Sequence, residues 1–165
     1  MEFGSLSPVD YALVGRLALA VALGGAIGFE RRWHGHAAGP HTNGLVAFGS
    51  ALFVLIGVQL GPDATGRIIA QVATGIGFLA GGVILRDGLR VRGLNTAATV
   101  WCVAAIGAFV AAGYVGLASM ATLIVVVANT VFHLIEHNVP RLRRVAEADE
   151  DERDQQRDPS GSGMA

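Results

Sequence analysis

The sequence is poor in charge and in cysteine. Of its 165 residues only 15% are charged, none is lysine, and a single cysteine is present. A soluble domain carries roughly 25% charged residues, so the composition argues against an ordinary soluble domain. One cysteine excludes an intramolecular disulfide. The chain also lacks a glycine-rich phosphate loop, a nucleophile triad and a cysteine pair, so we predict no enzymatic activity and no cofactor.

Long apolar runs take the place of the missing charges. Hydrophobic residues make up 52% of the chain. A helix needs about 20 apolar residues to cross a hydrocarbon core about 30 Å thick, and helices satisfy their own backbone groups in lipid. The sequence therefore predicts an all-α integral membrane protein. Its five transmembrane helices are expected at about 11–29, 44–60, 68–85, 97–112 and 114–135.

The last two predicted helices share one apolar run, 97–135, of 39 residues. As a single helix this run would be about 58 Å long, roughly twice the thickness of the hydrocarbon core. Gly113 and Gly116 flank an interfacial aromatic residue, Tyr114, near its midpoint. We therefore predict two helices joined by a tight turn.

The arginines indicate the orientation. With five crossings and the N-terminus outside, eight arginines near the helix ends lie inside, and only Arg67 lies outside. Arginine and lysine accumulate on the cytoplasmic side of membrane proteins. With four crossings, five arginines would lie inside and four outside, and the bias would be weaker. We predict an outside N-terminus, a cytoplasmic C-terminus and no nucleic-acid partner, because topology already explains the arginines.

The two ends of the chain differ from the predicted five-span domain, 11–139. Residues 1–10 begin with Met-Glu-Phe-Gly-Ser, which resembles a cloning scar. Residues 140–165 begin with arginines and continue with many carboxylates and no apolar periodicity. This composition predicts a disordered cytoplasmic tail whose basic start can touch anionic headgroups.

Small residues recur at a spacing of four on the first and third predicted helices, at Gly24 and Gly28 and again at Gly77 and Gly81. In lipid such faces let helix backbones approach closely. Two interpretations remain open. The glycines can pack helices within the chain, or they can form a face for a partner membrane protein or for a second copy.

Polar residues form one stripe on the third predicted helix and another on the fourth. The stripe members are Asp63, Arg67, Gln71, Thr74, Asn95, Thr99 and Cys102. Asp63 lies one turn before Arg67 and could pair with it. Polar groups inside a membrane usually face the bundle interior, so the two stripes are expected to meet as a polar seam. The seam is either a satisfied hydrogen-bond network or a path for a proton or a small cation.

All five histidines are predicted on the cytoplasmic side. They are His34, His36, His41, His133 and His137. Imidazole titrates near neutral pH and binds transition metals, so the group could sense pH or a metal, or have no role. Residues 133–137 also match the H-x-x-E-H zinc-protease pattern. No third ligand follows that pattern, and we do not favour that interpretation.

Three segments carry a likeness to a known family. They read G-F-E-R at 28–31 with A-G at 38–39, Q-V-A-T-G-I-G-F-L at 71–79, and R-G-L-N-T-A-A-T at 92–99. Over about residues 10–135 the sequence resembles the MgtC/SapB family of bacterial inner-membrane proteins. It resembles the short form, which lacks the cytoplasmic C-terminal domain of the virulence type.

This resemblance implies a multi-pass inner-membrane protein that regulates rather than catalyses. Family members are linked to growth in low magnesium, to acid stress and, in pathogens, to survival inside macrophages. The resemblance further implies action on the rotary ATP synthase, and hence on membrane potential and cytosolic pH. An Asn and a Cys of the fourth helix matter in the family and correspond to Asn95 and Cys102. Glu30, Asp63 and Arg67 also match the family pattern.

The loop after the first helix both follows the family and departs from it. The matching motif comprises Glu30, Arg31, Gly39, His41 and Thr42, with histidine at a usually basic position. The alternative function is transport of Mg²⁺ or another small cation through the polar seam. Mg²⁺ prefers carboxylates and water as ligands, and the predicted helices have no carboxylate at mid-depth.

Overall fold

The computed structural model describes residues 8–87 and 90–138, which form five α-helices and one short hairpin. The helices are α1 (Pro8–Trp33), α2 (Pro40–Leu60), α3 (Pro62–Gly82), α4 (Leu94–Ala111) and α5 (Val115–Asn138). Strands β1 (Leu85–Asp87) and β2 (Arg90–Arg92) pair antiparallel between α3 and α4. The helical architecture is confirmed, whereas the hairpin was not predicted. The predicted tail, 140–165, lies outside the described residues.

Four helices of the described part are long and apolar enough to cross a membrane, namely α1, α2, α4 and α5. The exception is α3, which contains Asp63, Arg67 and Gln71 within its 21 residues. These polar residues lower the apolar character of α3 without shortening it. The membrane-like character of the chain is therefore clear, and the number of crossings and their orientation stay predictions.

Helix boundaries differ from the predicted ones because hydropathy does not mark where a helix begins. Both α2 and α3 begin with proline, at Pro40 and Pro62. Proline suits the first helical position because its missing N–H has no helical acceptor there and its φ is already helical. The two helices thus begin before the apolar spans predicted from 44 and from 68, and the bounds of those spans stay predictions. At the other end, α1 continues through Arg31 and Arg32 to Trp33, and Gly35 follows with a φ of 77°.

The 39-residue apolar run is divided into two helices, as predicted. α4 ends at Ala111, and Gly113 adopts a φ of 92°. The N–H of Tyr114 donates to the carbonyl of Phe109 at 2.9 Å. This bond satisfies one of the last carbonyls of α4 while the chain turns into α5.

Contacts divide the chain into two units, residues 1–127 and 128–165. The main core of the first unit joins α1, α2, α4 and the first turns of α5, and its buried residues are mostly alanine and valine. A smaller cluster of Ala38, Ile76, Val100 and Ala104 attaches α3. Small core side chains allow close approach of the helix backbones, as in other membrane bundles. The described part of the second unit is the end of α5, from Ala128 to Asn138.

Candidate functional site at the basic end of the bundle

One end of the first unit brings together two of the three segments that carry the family likeness, 28–31 with 38–39 and 92–99. Here α1 ends, α2 begins, α3 leads into the β1–β2 hairpin, and α4 begins. We call this the basic end, because Arg31 and Arg32 close α1 and the hairpin contributes three more arginines. Short connections place consecutive helices side by side and antiparallel. Residues far apart in sequence therefore meet at this end.

Arg31 is the largest of the fully buried side chains at the basic end, with 1% of its surface exposed. Its Nη2 donates a hydrogen bond to Oγ1 of Thr96 at 3.1 Å, which ties the end of α1 to the start of α4. Its Nε is also buried and has no hydrogen-bond partner. A buried guanidinium is costly unless it is hydrogen-bonded, so the Thr96 hydroxyl is important for holding this side chain inside.

Asn43 organises the loop that precedes α2. It is fully buried, and its Nδ2 donates to the carbonyls of Ala38 at 2.9 Å and Gly39 at 3.0 Å. Two carbonyl acceptors fix the orientation of the amide, because only its nitrogen can donate. The side-chain oxygen is buried without a partner. Asn43 thus ties the first turn of α2 to the carbonyls of the preceding loop, and the N-cap residue Gly39 makes no side-chain cap.

Close backbone contacts hold the same elements together. A Cβ on Gly24 would lie 2.5 Å from the carbonyl oxygen of Asn43 and 2.8 Å from Cβ of Ala47. A Cβ on Gly28 would collide with the carbonyl of Gly39. Only glycine permits so close an approach. The glycines of α1 therefore pack against α2 within the chain.

The glycines of α3 lie in a different environment. Gly77 and Gly81 are exposed, and a Cβ on either would meet no atom within 4 Å. Their face of α3 packs against nothing within the described part of the chain. The interpretation that this face serves a partner or a second copy stays a prediction.

The other residues of the predicted loop motif lie at the surface or near it. Nδ1 of His34 is 2.9 Å from Oε1 of Glu30, which is one helical turn earlier. His41 and Thr42 are exposed in the first turn of α2. No three His, Cys, Asp or Glu side chains in the described ranges come close enough to hold a metal ion. Within these ranges His34, His36 and His41 thus do not belong to a group of three potential metal ligands, and their metal-sensing role stays a prediction.

The two C-terminal histidines belong to the second unit. His133 is partly buried on α5, and the side chain of His137 lies outside the description. Their part in a histidine group stays a prediction.

A groove of about 770 Å³ opens between α2 and α3, with Ala104 of α4 also lining it. Gln71 of the predicted seam lines this groove. Asp63, Arg67 and Thr74 are exposed on α3, and the Thr74 hydroxyl donates to the Ala70 carbonyl of its own helix at 2.9 Å. The pairing of Asp63 with Arg67 stays a prediction.

The α4 stripe of the predicted seam lies away from the groove. Cys102 is two residues from Ala104, which at 3.6 residues per turn places it about 200° around the helix. The Thr99 hydroxyl donates to the Asn95 carbonyl at 2.9 Å, and Asn95 itself is exposed. Cys102 thus lies on the side of α4 opposite the groove that Gln71 lines. A single path through both stripes stays a prediction.

Sequence reasoning missed Asn43 and Thr96, the two residues that hold the basic end together. Both directly precede an apolar run and lie inside or beside a segment with the family likeness. A polar residue that begins an apolar helix is a signal for a buried hydrogen bond. It does not reveal the partner, which for Thr96 is 65 residues away.

Comparison with known proteins agrees with the sequence motifs. The family model described as MgtC family matches residues 17–138. A protein named MgtC from Salmonella paratyphi A is 47% identical over 133 residues, covering 81% of this chain and 58% of the relative. An uncharacterized protein from Synechocystis is 51% identical over 115 residues, covering 69% of this chain and 49% of the relative.

A third relative comes from another bacterium. A protein named MgtC from Brucella abortus is 47% identical over 114 residues, covering 68% of this chain and 48% of the relative. The chain thus spans about half the length of the curated relatives it matches. No solved structure matches the chain significantly. The family match covers most of the chain and includes all or part of each of the five helices of the described part. The chain therefore belongs to the MgtC family.

Proposed function

We propose that this chain is a non-enzymatic regulator in the bacterial inner membrane that supports adaptation to low magnesium or acid stress. The observation that carries the proposal is the family match over residues 17–138. The structure adds that residues from separate family-like segments converge at the basic end, where Arg31 bonds Thr96 and Gly28 packs on Gly39. A site held together by buried contacts presents a fixed surface, which suits recognition of a partner.

The surface of the basic end offers residues for that recognition. Asn95 is exposed at the second position of α4, immediately before the buried Thr96 in the sequence. Its neighbour Leu94 is also exposed but is apolar, so Leu94 serves as a control position of similar accessibility. We propose that Asn95 contacts the partner, while the hydrogen bond from Arg31 to Thr96 fixes the start of α4.

Growth in low magnesium tests this role. The chain is expressed in a bacterium that lacks its own MgtC protein, and growth is measured in medium with limiting Mg²⁺. We expect the chain to restore growth, Asn95→Ala to abolish the effect at equal protein level, and Leu94→Ala to retain it. Equal loss in both variants would contradict a specific role for Asn95. Failure of the unaltered chain would contradict the proposed function.

We further propose that the partner is the rotary ATP synthase. ATP-driven proton pumping is measured in inverted vesicles that contain increasing amounts of the chain. Pumping is expected to fall with the amount of chain and to be restored by Asn95→Ala. Unchanged pumping over a wide range of expression would exclude this partner while leaving the growth phenotype to be explained by another.

Cation transport is the alternative function, with Mg²⁺ as the ion. No Asp or Glu is among the buried polar residues of the described part, although carboxylates are the protein ligands that Mg²⁺ prefers. Uptake of Mg²⁺ into proteoliposomes distinguishes the two functions. We expect no uptake above that of empty liposomes, and uptake abolished by Gln71→Leu would favour transport instead.

A further inference from the structure

The groove between α2 and α3 is mostly apolar, with Gln71 as a polar residue of its lining, and it lies outside the contacts that hold the basic end together. Its walls include Leu45, Phe53 and Leu79, and its floor includes Val46, Ile76 and Ala104. The hydroxyl of Ser50 reaches the groove but donates to the Ala104 carbonyl at 2.6 Å, so it is already satisfied. A groove of this composition fits a hydrocarbon chain better than a polar solute.

The groove is closed at one end and open at the other. Near the turn at Gly61, α2 and α3 touch, since a Cβ on Gly57 would lie 2.9 Å from Cα of Thr65. From that contact the lining runs towards the basic end, and no residue after Phe53 on α2 or before Ile68 on α3 belongs to it. On α2 the lining runs from His41 to Phe53, which is about 18 Å at 1.5 Å per residue.

This length distinguishes between the possible occupants. About 18 Å is close to the depth of one leaflet, which is roughly half of the 30 Å hydrocarbon core. A transmembrane helix of a partner or of a second copy would need to lie along the whole thickness. The contact between Gly57 and Thr65 closes the groove before that distance is reached. A lipid chain that enters from one leaflet has the required length.

The open end of the groove favours an anion. His41 and Thr42 line it at the first turn of α2, whose N-cap residue Gly39 makes no side-chain cap. The hairpin that follows α3 carries Arg86 and Arg92 at the same end, and both are exposed. Arginine side chains and helix N-termini both bind phosphate groups.

We propose that the groove is a binding site for one anionic phospholipid. Its acyl chain lies between α2 and α3, and its phosphate lies at the open end near His41 and the hairpin arginines. The lipid comes from the leaflet at the basic end, where positively charged residues are attracted to anionic headgroups. The site is separate from the proposed contact at Asn95, so either proposal can fail without the other.

Lipid retention by the purified chain tests the acyl-chain part of the proposal. The chain in detergent is mixed with phosphatidylglycerol, and bound lipid is counted by native mass spectrometry. Gly75→Leu adds a side chain into the groove at a position where a Cβ meets no atom within 4 Å. The added side chain displaces about two methylene groups of the lipid from the groove, so lipid binding should weaken roughly tenfold.

The chain offers a matched control and a second variant. Gly77→Leu lies on the same helix with equally open surroundings, but its residue does not line the groove, so retention should not change. Gly49→Leu fills the groove from α2, also without a contact within 4 Å, and should reproduce the loss. Helix content and gel-filtration behaviour are measured for all three variants. Unaltered retention in both groove variants would overturn the proposal.

The headgroup part is tested by lipid competition. Phosphatidylglycerol and phosphatidylcholine with identical acyl chains compete for the chain, and we expect several-fold preference for the anionic lipid. Arg92→Gln should reduce that preference and keep the sensitivity to Gly75→Leu, whereas Arg67→Gln, near the start of α3, should change neither. Equal binding of the two lipids would overturn the anionic assignment. Crosslinking from Gly49→Cys to another polypeptide, with no lipid retained, would show that a protein occupies the groove.

Discussion

Helices α1 and α3 carry the same spacing of small residues and use it in opposite ways. On α1 the glycines at 24 and 28 are buried against α2, where an added Cβ would strike backbone atoms. On α3 the glycines at 77 and 81 are exposed, and an added Cβ would meet nothing within 4 Å. The spacing thus predicts a face that permits close approach, and it does not say whether the chain itself supplies the neighbour.

The neighbours of each helix explain the difference. α1 packs against both α2 and α4, whereas α3 lies against α2 and α4 through another of its faces. That face is formed by Ile68, Val72, Ile76 and Ala80, which recur every four residues and are buried or half-buried. Larger apolar side chains thus attach α3 to the bundle and leave its glycines on the outside.

The largest expected effect comes from filling the glycine face of α1, with the glycine face of α3 as the comparison. Gly24→Leu must displace the backbone at Asn43, and overpacking of this kind costs about 1–3 kcal/mol or more. Gly77→Leu extends into open surroundings and should leave stability nearly unchanged. Thermal unfolding in detergent measures both variants. A similar loss of stability in the two would show that the α3 face is packed in the folded protein.

The sequence predicts those features of the fold that depend on neighbouring residues alone. The apolar runs predicted the helices, and the glycines at 113 and 116 predicted the break between α4 and α5, because both signals are local. The apolar spans do not mark the helix starts at Pro40 and Pro62, because polar first turns fall outside hydropathy windows. The hairpin was missed because its strands have only three residues each.

The candidate site was less predictable because its contacts are not local. Glu30 and Arg31 were named from the sequence, but the burial of Arg31 depends on Thr96 in another helix. The predicted seam joined stripes on α3 and α4 from their spacing alone. Spacing fixes which residues share a face of one helix, but the rotation of that helix depends on packing against its neighbours.

Removing a threonine hydroxyl is expected to have a smaller effect on stability. It extends the comparison of α1 and α3 to polar contacts. Thr96→Val removes the acceptor of the buried Arg31 side chain, and an unsatisfied buried group costs about 1–3 kcal/mol. The valine keeps the shape of threonine, so packing is preserved. Thr74→Val on α3 removes an exposed hydroxyl that bonds only its own helix, and a change within about 0.5 kcal/mol is expected.

Chemical unfolding in detergent measures the two threonine variants against the unaltered chain. Restoration of stability in Thr96→Ser, which keeps the hydroxyl, would separate the hydrogen bond from the methyl group. Equal stability of Thr96→Val and the unaltered chain would mean that the Arg31 side chain finds another acceptor, and that the tie between α1 and α4 rests on packing.

The smallest expected effect comes from alanine substitutions. They test whether the effect of replacing a glycine depends on the face of the helix on which it lies. Alanine is favoured over glycine inside a helix by up to about 1 kcal/mol, so Gly77→Ala should slightly raise the unfolding temperature. Gly25→Ala on α1 should do the same, because a Cβ there also meets no atom within 4 Å. Gly24→Ala, one residue away, should lower stability because its Cβ would contact Asn43 and Ala47. Opposite signs at these two adjacent positions would assign the packing of α1 to one face, whereas a loss at both would mean that α1 is packed all round.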